Sequence, residues 1–329
     1  VAYDGKIMRA ALQRFDEDRQ RRADQFNARR RRVFREIPEM EDIERELQGT
    51  VSRIISSALR RGTDPVPAIR VLRDRNLELQ QRREELMRAH GFPADYLEEK
   101  PRCAFCGDSG YRGGEVCSCL QNYYAREQIA ELSRMLDIGT QSFDTFRLDW
   151  YSDERQGRRY SPRETARHNF DVCRAYAEDF GRRGGNLLLF GAPGLGKTFL
   201  SACIARVVSE DGFSVVYDTA GHIFTRCEQA KFRREDEEAE EDVRRYKKCD
   251  LLILDDLGTE MLTGFVQSAL YELVNDRLLN GKSTIINTNL DPEEIGRRYS
   301  PQVLSRIEGE YEILPFIGED IRRIRREQL

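Results

Sequence analysis

The sequence predicts an α/β protein in which a parallel sheet is covered by helices and is preceded by a helical region carrying a small metal-binding module. Three observations predict it. After Gly184-Gly185, short apolar runs at 186–190, 213–217, 250–254 and 284–287 alternate with helical patterns, the texture of a sheet whose parallel strands are joined by helical crossovers. Residues 1–100 read as almost entirely helical. Four of the eight cysteines fall within 103–119, which in a reducing compartment reads as a metal site rather than as disulfides.

The helical region divides at its breakers. A charged stretch with sparse apolar residues runs to about Phe34, and Pro38 interrupts it. A second helix fits 40–60, with Ile43, Leu47, Val51, Ile54, Ile55 and Leu59 on one face at helical spacing. Residues 62–67 form a break. A third helix starts near Ala68 and carries Ile69, Leu72, Leu79 and Leu86 in a partial heptad, with Asn76 and Arg83 where a full coiled coil wants apolar groups. Gly91 and Pro93 end it. Another helix fits 120–136, a linker follows, and a helical pattern runs from Pro162 to Phe180. The expected domains are 1–135, including the metal module 103–119, a linker 136–160, and an α/β domain 161–329.

Composition excludes little by total charge and more by pattern. Lys plus Arg is 54 and Asp plus Glu is 58, for a net charge of −4, so there is no global drive toward nucleic acid or membrane. Arginine crowds residues 14–35, and residues 235–242 are acidic, the latter reading as a solvated helix face. No apolar run reaches membrane-spanning length, and the start, Val1-Ala-Tyr-Asp-Gly5, lacks a secretory apolar stretch. A cytoplasmic protein with no membrane contact is expected. Cys173, Cys203, Cys227 and Cys249 are scattered and read as small core residues.

The chemistry begins at the first strand. Asn186-Leu-Leu-Leu-Phe190 feeds Gly191-Ala192-Pro193-Gly194-Leu195-Gly196-Lys197-Thr198, and a helical pattern follows. This is the strand, loop and helix context that a phosphate-binding G-x4-G-K-[ST] loop requires. The glycines let the backbone turn tightly, so that amides and the helix N-terminus can surround phosphates. Lys197 supplies charge to the β- and γ-phosphates of ATP, and Thr198 offers a hydroxyl to Mg²⁺. Farther on, Leu251-Leu-Ile-Leu-Asp255-Asp256 is a strand ending in two acids. Asp255 would hold Mg²⁺ through water, and Asp256 would deprotonate the attacking water. Asn289, at the polar end of the next run, would position that water. The last alternative for Asn289 is an ordinary strand-to-loop asparagine.

At these blocks the sequence resembles the AAA+ P-loop ATPases, and among them the DnaC/DnaI-type bacterial helicase loaders. The matching segments are Asn186–Thr198, Asp250–Glu260, Tyr271–Arg277, Thr284–Leu290 and Ser305-Arg306-Ile307. The resemblance extends upstream through the cysteine segment and is weakest over residues 1–60. It implies that Asn289 is the sensor-1 residue. Arg306 would be the arginine finger reaching a neighbouring subunit's ATP, with Arg297 and Arg298 as alternatives. Arg322, in Gly318-Glu-Asp-Ile-Arg322, would face the nucleotide as sensor 2, with Arg323 as alternative. A planar cation suits the charge of a transferring phosphoryl group. Phe143, Phe146 and Tyr151 would wrap the adenine or pack in the core.

Cys103-x-x-Cys106 followed by Gly107 looks like a zinc knuckle, completed by Cys117 and Cys119. Four thiolates make a closed, structural Zn²⁺ site. An iron–sulfur cluster is the other metal of matching softness, and the similar cysteine segment of Gram-positive-type loaders favours zinc. The resemblance implies a protein that loads a replicative DnaB-type hexameric helicase onto single-stranded DNA during replication initiation. Its ATPase would be slow, assembly-dependent, and shared between subunits of a self-oligomer. Lys231 and Phe232, with Arg233 and Arg234, combine cation and aromatic as single-stranded DNA contacts do, or form a solvated helix end. The alternative function is an IstB-type transposition helper ATPase.

Overall fold

A computed structural model describes residues 3–58, 66–135, 141–155, 157–233 and 236–327. Leu59, residues 62–65 of the expected break, residues 136–140 and 156 of the expected linker, Arg234 and Glu235 lie outside the described residues, as do the side chains of Val51, Ile54 and Ile55. The chain divides into two compact units, Val1–Gln13 with Val116–Leu329, and Arg14–Glu115.

The smaller unit is helical. It contains most of α1 (Gly5–Glu36), all of α2 (Glu39–Ala58) and all of α3 (Val66–Ala89). Val33, Ile37, Met40, Met87 and Leu97 form its buried cluster. The polar position foreseen at Asn76 has a matching partner. Thr50, 3% exposed, donates its hydroxyl hydrogen toward Asn76 Oδ1 over 2.9 Å, so the α2–α3 seam carries a satisfied polar pair in place of a heptad apolar residue. Arg82–Glu39 and Arg75–Glu46 ion pairs cross the same two helices. After α3, Gly91 takes a left-handed φ of +74°, the conformation that favours glycine at a helix stop.

A two-stranded hairpin follows, β1 (Tyr111–Arg112) and β2 (Glu115–Val116). Gly113 and Gly114 join the strands with φ of +59° and +90°, the geometry of a tight hairpin turn. Next come α4 (Ser118–Met135), α5 (Pro162–Glu178) and the short α6 (Phe180–Arg183). The sequence reading grouped residues 118–135 with the N-terminal region. Here α4 packs on the α/β part: Gln128, 1% exposed, donates to Phe213 O over 2.7 Å and accepts from Val215 N over 3.0 Å.

The α/β part alternates as expected. It runs β3 (Asn186–Gly191), α7 (Lys197–Glu210), β4 (Val215–Thr219), α8 (Ala220–Phe232), α9 (Glu237–Lys248), β5 (Leu251–Leu257), α10 (Gly264–Leu279), β6 (Ser283–Thr288), α11 (Pro292–Arg298), α12 (Pro301–Glu310), β7 (Tyr311–Phe316) and α13 (Ile321–Glu327). The five strands are parallel in the order β4-β5-β6-β3-β7. Alternate side chains enter opposite layers. Leu187, Leu189, Tyr217, Leu251, Ile253 and Ile285 join one buried cluster with residues of α4, α5 and α7. Leu188, Val216, Leu252, Leu254 and Ile286 join a second with residues of α8, α9, α10 and α12. Both faces are therefore covered, which is why the strands read as continuous apolar runs.

β7 has no counterpart in the sequence reading. Pro315 lies inside it and cannot donate to a ladder, so the run reads poorly as a strand. At the sheet edge, paired with β3 alone, that missing donor is tolerated. The acidic block becomes the start of α9, where the Asp236 side chain accepts from Ala239 N and Glu237, Glu238 and Glu240 fill the first turn, complementing the helix dipole. Cys173, Cys203 and Cys249 are buried and Cys227 is half-buried. Among the described residues, no helix is long and apolar enough to cross a membrane.

Candidate nucleotide and metal sites

The parallel arrangement brings the carboxyl ends of the strands together, the place where ligands bind in open α/β sheets. β3 leads into the loop 191–196 and then into α7. Gly191 has φ +140°, and a Cβ there would lie 2.1 Å from Phe316 O; Gly194 has φ +76°, and a Cβ there would lie 1.9 Å from Asp320 Oδ1. Close approach of the Phe316 backbone therefore requires glycine at 191 beyond turn geometry, while at 194 the left-handed φ favours glycine and the near neighbour is the Asp320 side chain. Tyr151 donates its hydroxyl hydrogen to Leu195 O over 2.9 Å and props the loop from beneath.

A cavity of about 1230 Å³ opens here, lined by Pro193 through Thr198, Asp255, Asp256, Asn289 and Arg322, among others. Lys197 is nearly buried and donates from Nζ to Gly191 O, Ala192 O and Asn289 Oδ1 at 2.6, 2.9 and 2.9 Å. Burial pushes its pKa down and Arg322 adds to that, while Asp256 and Asp255 oppose it. The ammonium is thus kept poorly solvated beside the loop, a state in which a phosphate charge gains most from it. Thr198 Oγ1 lies 3.4 and 3.3 Å from the two Asp255 carboxylate oxygens. A hydroxyl and a carboxylate so close together, with oxygen-only chemistry, fit a magnesium ion's demand for hard ligands.

Asp255 and Asp256 are neighbours on a strand, where consecutive side chains ordinarily point to opposite faces. Here the β5–β6 register shifts between Leu254 and Leu257, and Asp256 takes a left-handed φ of +54°. This bulge turns both carboxylates toward the cavity. Burial raises the Asp256 pKa and the neighbouring Asp255 raises it further, against Lys197 and Arg322, which gives the carboxylate more basicity than a solvated aspartate.

The other expected residues divide. Phe146 and Tyr151 line the cavity, together with Arg147 and Trp150, which the sequence reading did not name. Phe143 instead packs edge-on against Phe170 at 5.6 Å. Arg325 joins Arg322 on the cavity wall. Arg306 does not line it; it stands exposed on α12 with no bonded partner among the described residues. Arg298 donates to Glu260 O over 2.7 Å, while Arg297 is exposed. Lys231 and Phe232 lie apart from the cavity at the end of α8. Lys231 Nζ sits 5.5 Å from the Phe265 ring centre, and Phe232, 65% exposed, packs against the same ring at 5.6 Å.

The four cysteines of the module converge. The sulfurs of Cys103, Cys106, Cys117 and Cys119 all lie within 4.8 Å of one another. Sulfurs about 3.8 Å apart would surround a tetrahedral zinc with bonds of about 2.3 Å, so a cluster this close fits zinc. The knuckle around Cys103 and Cys106 is internally braced. Gly107 N donates to Cys103 O over 2.9 Å, and Asp108 accepts from Arg102 N and Cys103 N at 3.0 and 2.9 Å while pairing with Arg22 at 3.1 Å.

Replacing Lys197 by alanine is expected to weaken ATP binding about 10- to 100-fold, the loss of one charge-assisted contact. A titration with a fluorescent ATP analogue would measure it, and unchanged affinity would remove the phosphate role from Lys197.

Residues 171–327 match a family model described as IstB-like ATP binding protein. The replicative helicase loader DnaI of Bacillus subtilis is 24% identical over 229 residues, 63% of this chain and 70% of DnaI. A Sinorhizobium fredii protein described as a candidate insertion sequence ATP-binding protein is 34% identical over 107 residues, which is 32% of this chain and 35% of that protein. The chain thus spans about a third of that relative's length. The crystal structure of the DnaC helicase loader overlaps with a TM-score of 0.46 at 20% identity, over 55% of this chain and 99% of that one.

Proposed function

We propose that this chain, whose residues 171–327 form an IstB/DnaC-family ATP-binding domain, is a cytoplasmic, ATP-dependent loader of a replicative DnaB-type hexameric helicase onto single-stranded DNA. The observation that carries the reading is the reach of one likeness. The similarity to DnaI runs over 229 residues, more than residues 171–327 contain, so it includes sequence outside the ATP-binding domain.

In this reading the amides of 191–198 and the Lys197 ammonium bind the β- and γ-phosphates. Thr198 and Asp255 hold magnesium, which when bound neutralises phosphate charge. Asp256 takes the proton of the attacking water, and Asn289, already tied to Lys197, orients that water. Arg322 faces the nucleotide within its own subunit, and Arg306 reaches the site of a neighbour. Hydrolysis to ADP and phosphate is slow until subunits assemble. The cysteine module holds structural zinc and stiffens the region that grips the helicase. Lys231 and Phe232 offer a cation and an exposed ring to single-stranded DNA.

A second reading, a transposition helper ATPase, draws on the 34% identity to the insertion sequence relative. Affinity capture with the full chain and ATP separates the two. Recovery of the host's replicative helicase, and its deposition on circular single-stranded DNA, is the expected outcome. Capture of a transposase without helicase would replace the loader reading by the second.

A further inference from the structure

Asp255 is held from both flanks by side chains that the sequence motifs do not single out. β4 and β6 are the two neighbours of β5 in the sheet. From β4, Tyr217 donates its phenolic hydrogen to Asp255 Oδ2. From β6, Asn287 donates through Nδ2 to Asp255 Oδ1 over 2.8 Å. The same Asn287 amide is anchored to Ser201 Oγ on α7, also over 2.8 Å, and Ser201 donates to Thr198 O over 3.1 Å. All four side chains are buried: Tyr217 is 5% exposed, Asp255 4%, Asn287 1% and Ser201 0%.

An aspartate carboxylate rotates about a broad, shallow torsion, so a lone Asp255 could present either edge or either oxygen to a cation. Two donors from opposite strands remove that freedom. The face that remains is the one 3.3 to 3.4 Å from the Thr198 hydroxyl, and the Ser201 link ties the same assembly back to the residue that carries that hydroxyl. The phenol belongs to a side chain whose ring is packed in the core cluster, so it cannot swing away without opening that core.

We propose that Tyr217 and Asn287 are positioning residues that lock the Asp255 carboxylate in the orientation needed to hold magnesium beside Thr198, and that they thereby set how much magnesium strengthens nucleotide binding. The inference rests on the reading that Asp255 holds magnesium, through water.

The test uses the full chain and a fluorescent ATP analogue, titrated once in EDTA and once in saturating magnesium. Tyr217→Phe keeps the ring and removes only the donor. In this variant the magnesium-linked gain in affinity is expected to fall about tenfold, the scale of one lost hydrogen bond to a charged group, with the affinity in EDTA unchanged. Asn287→Ser, which keeps a shorter donor, is expected to give a smaller loss in the same ratio. A Tyr217→Phe chain with a lower melting temperature but the wild-type magnesium gain would overturn the positioning role and leave only a structural one. Asp255→Ala distinguishes the two layers. If it retains the magnesium gain, the magnesium-holding reading of Asp255 fails and the positioning role fails with it. If it loses the gain while Tyr217→Phe does not, only the positioning role fails.

Discussion

Replacing Arg306 by alanine is expected to lower ATP turnover about 10³-fold, the scale of an arginine supplied to a phosphoryl transition state from a neighbouring subunit. ATP affinity of the isolated chain should stay the same, because Arg306 does not line the chain's own cavity. The geometry favours this arginine over Arg298. Arg298 is engaged with Glu260, whose backbone oxygen it reaches over 2.7 Å, whereas Arg306 is exposed and has no bonded partner among the described residues. Arg297 is also exposed, so Arg297→Ala is the control and should retain most turnover. Mixing provides the sharper measurement. An Arg306→Ala subunit keeps an intact phosphate loop, and a Lys197→Ala subunit keeps an intact Arg306. Together they should recover turnover that neither shows alone. An Arg306→Ala chain as active as wild type, or a mixture that stays inactive, would show that the arginine does not act across a subunit boundary.

The second large effect concerns the cysteine module. Elemental analysis of the purified chain is expected to find one zinc per chain and no iron. Cys106→Ser should abolish it, and limited proteolysis should then cleave within residues 98–119, which the wild type protects. Small structural zinc sites carry apparent binding free energies of about 10–16 kcal/mol. Apolar burial adds little to the hydrogen bonds of this segment: Phe105 is 73% exposed and Tyr111 is 42% exposed, and each strand of the hairpin has two residues. The phosphate loop sits in a separately buried core, so ATP affinity should survive the substitution. Iron bound in place of zinc would change the chemistry of the module. Metal-free protein with unaltered protease resistance would remove the metal from it.

Much of the fold was legible because its signals are local. The run Leu251–Leu254 reads as a strand wherever it lies, since four consecutive apolar residues ending in acids suit a position buried on both faces. The phosphate loop is legible for the same reason: its glycines and Lys197 act within eight residues, and spacing alone carries the geometry. Helices α2 and α3 announced themselves by periodicity and by Pro38, Gly91 and Pro93. β7 was not legible, because Pro315 argues against a strand until the strand is known to lie at an edge. The polar exception at Asn76 was visible, but its partner Thr50 on another helix was not.

The site shows the same division. Asp255 and Asp256 were found as a pair, yet a regular strand would have turned one of them away. The bulge after Leu254 and the left-handed backbone at Asp256 turn both toward the cavity, and neither is written in a pattern of two acids. Tyr217 was not singled out, and Asn287 entered only as part of the resembling segment Thr284–Leu290. Each lies on another strand, about 30 to 40 residues from Asp255, and a hydrogen bond at that separation depends on strand order.

The sequence by itself determined most of the element types, the glycine-rich loop 191–198 and the set of four thiols, because each is encoded in residues close together along the chain. The tertiary structure alone decided which strand lies beside which, and so which side chains surround Asp255. It also decided that Arg306 faces outward while Arg322 faces the chain's own cavity. The physical reason is that both faces of the sheet are apolar, so hydrophobic burial selects the layers but not the neighbours. The neighbours follow from the crossover path and the strand register, and only these bring the polar ends of β3, β5 and β6 to a single place.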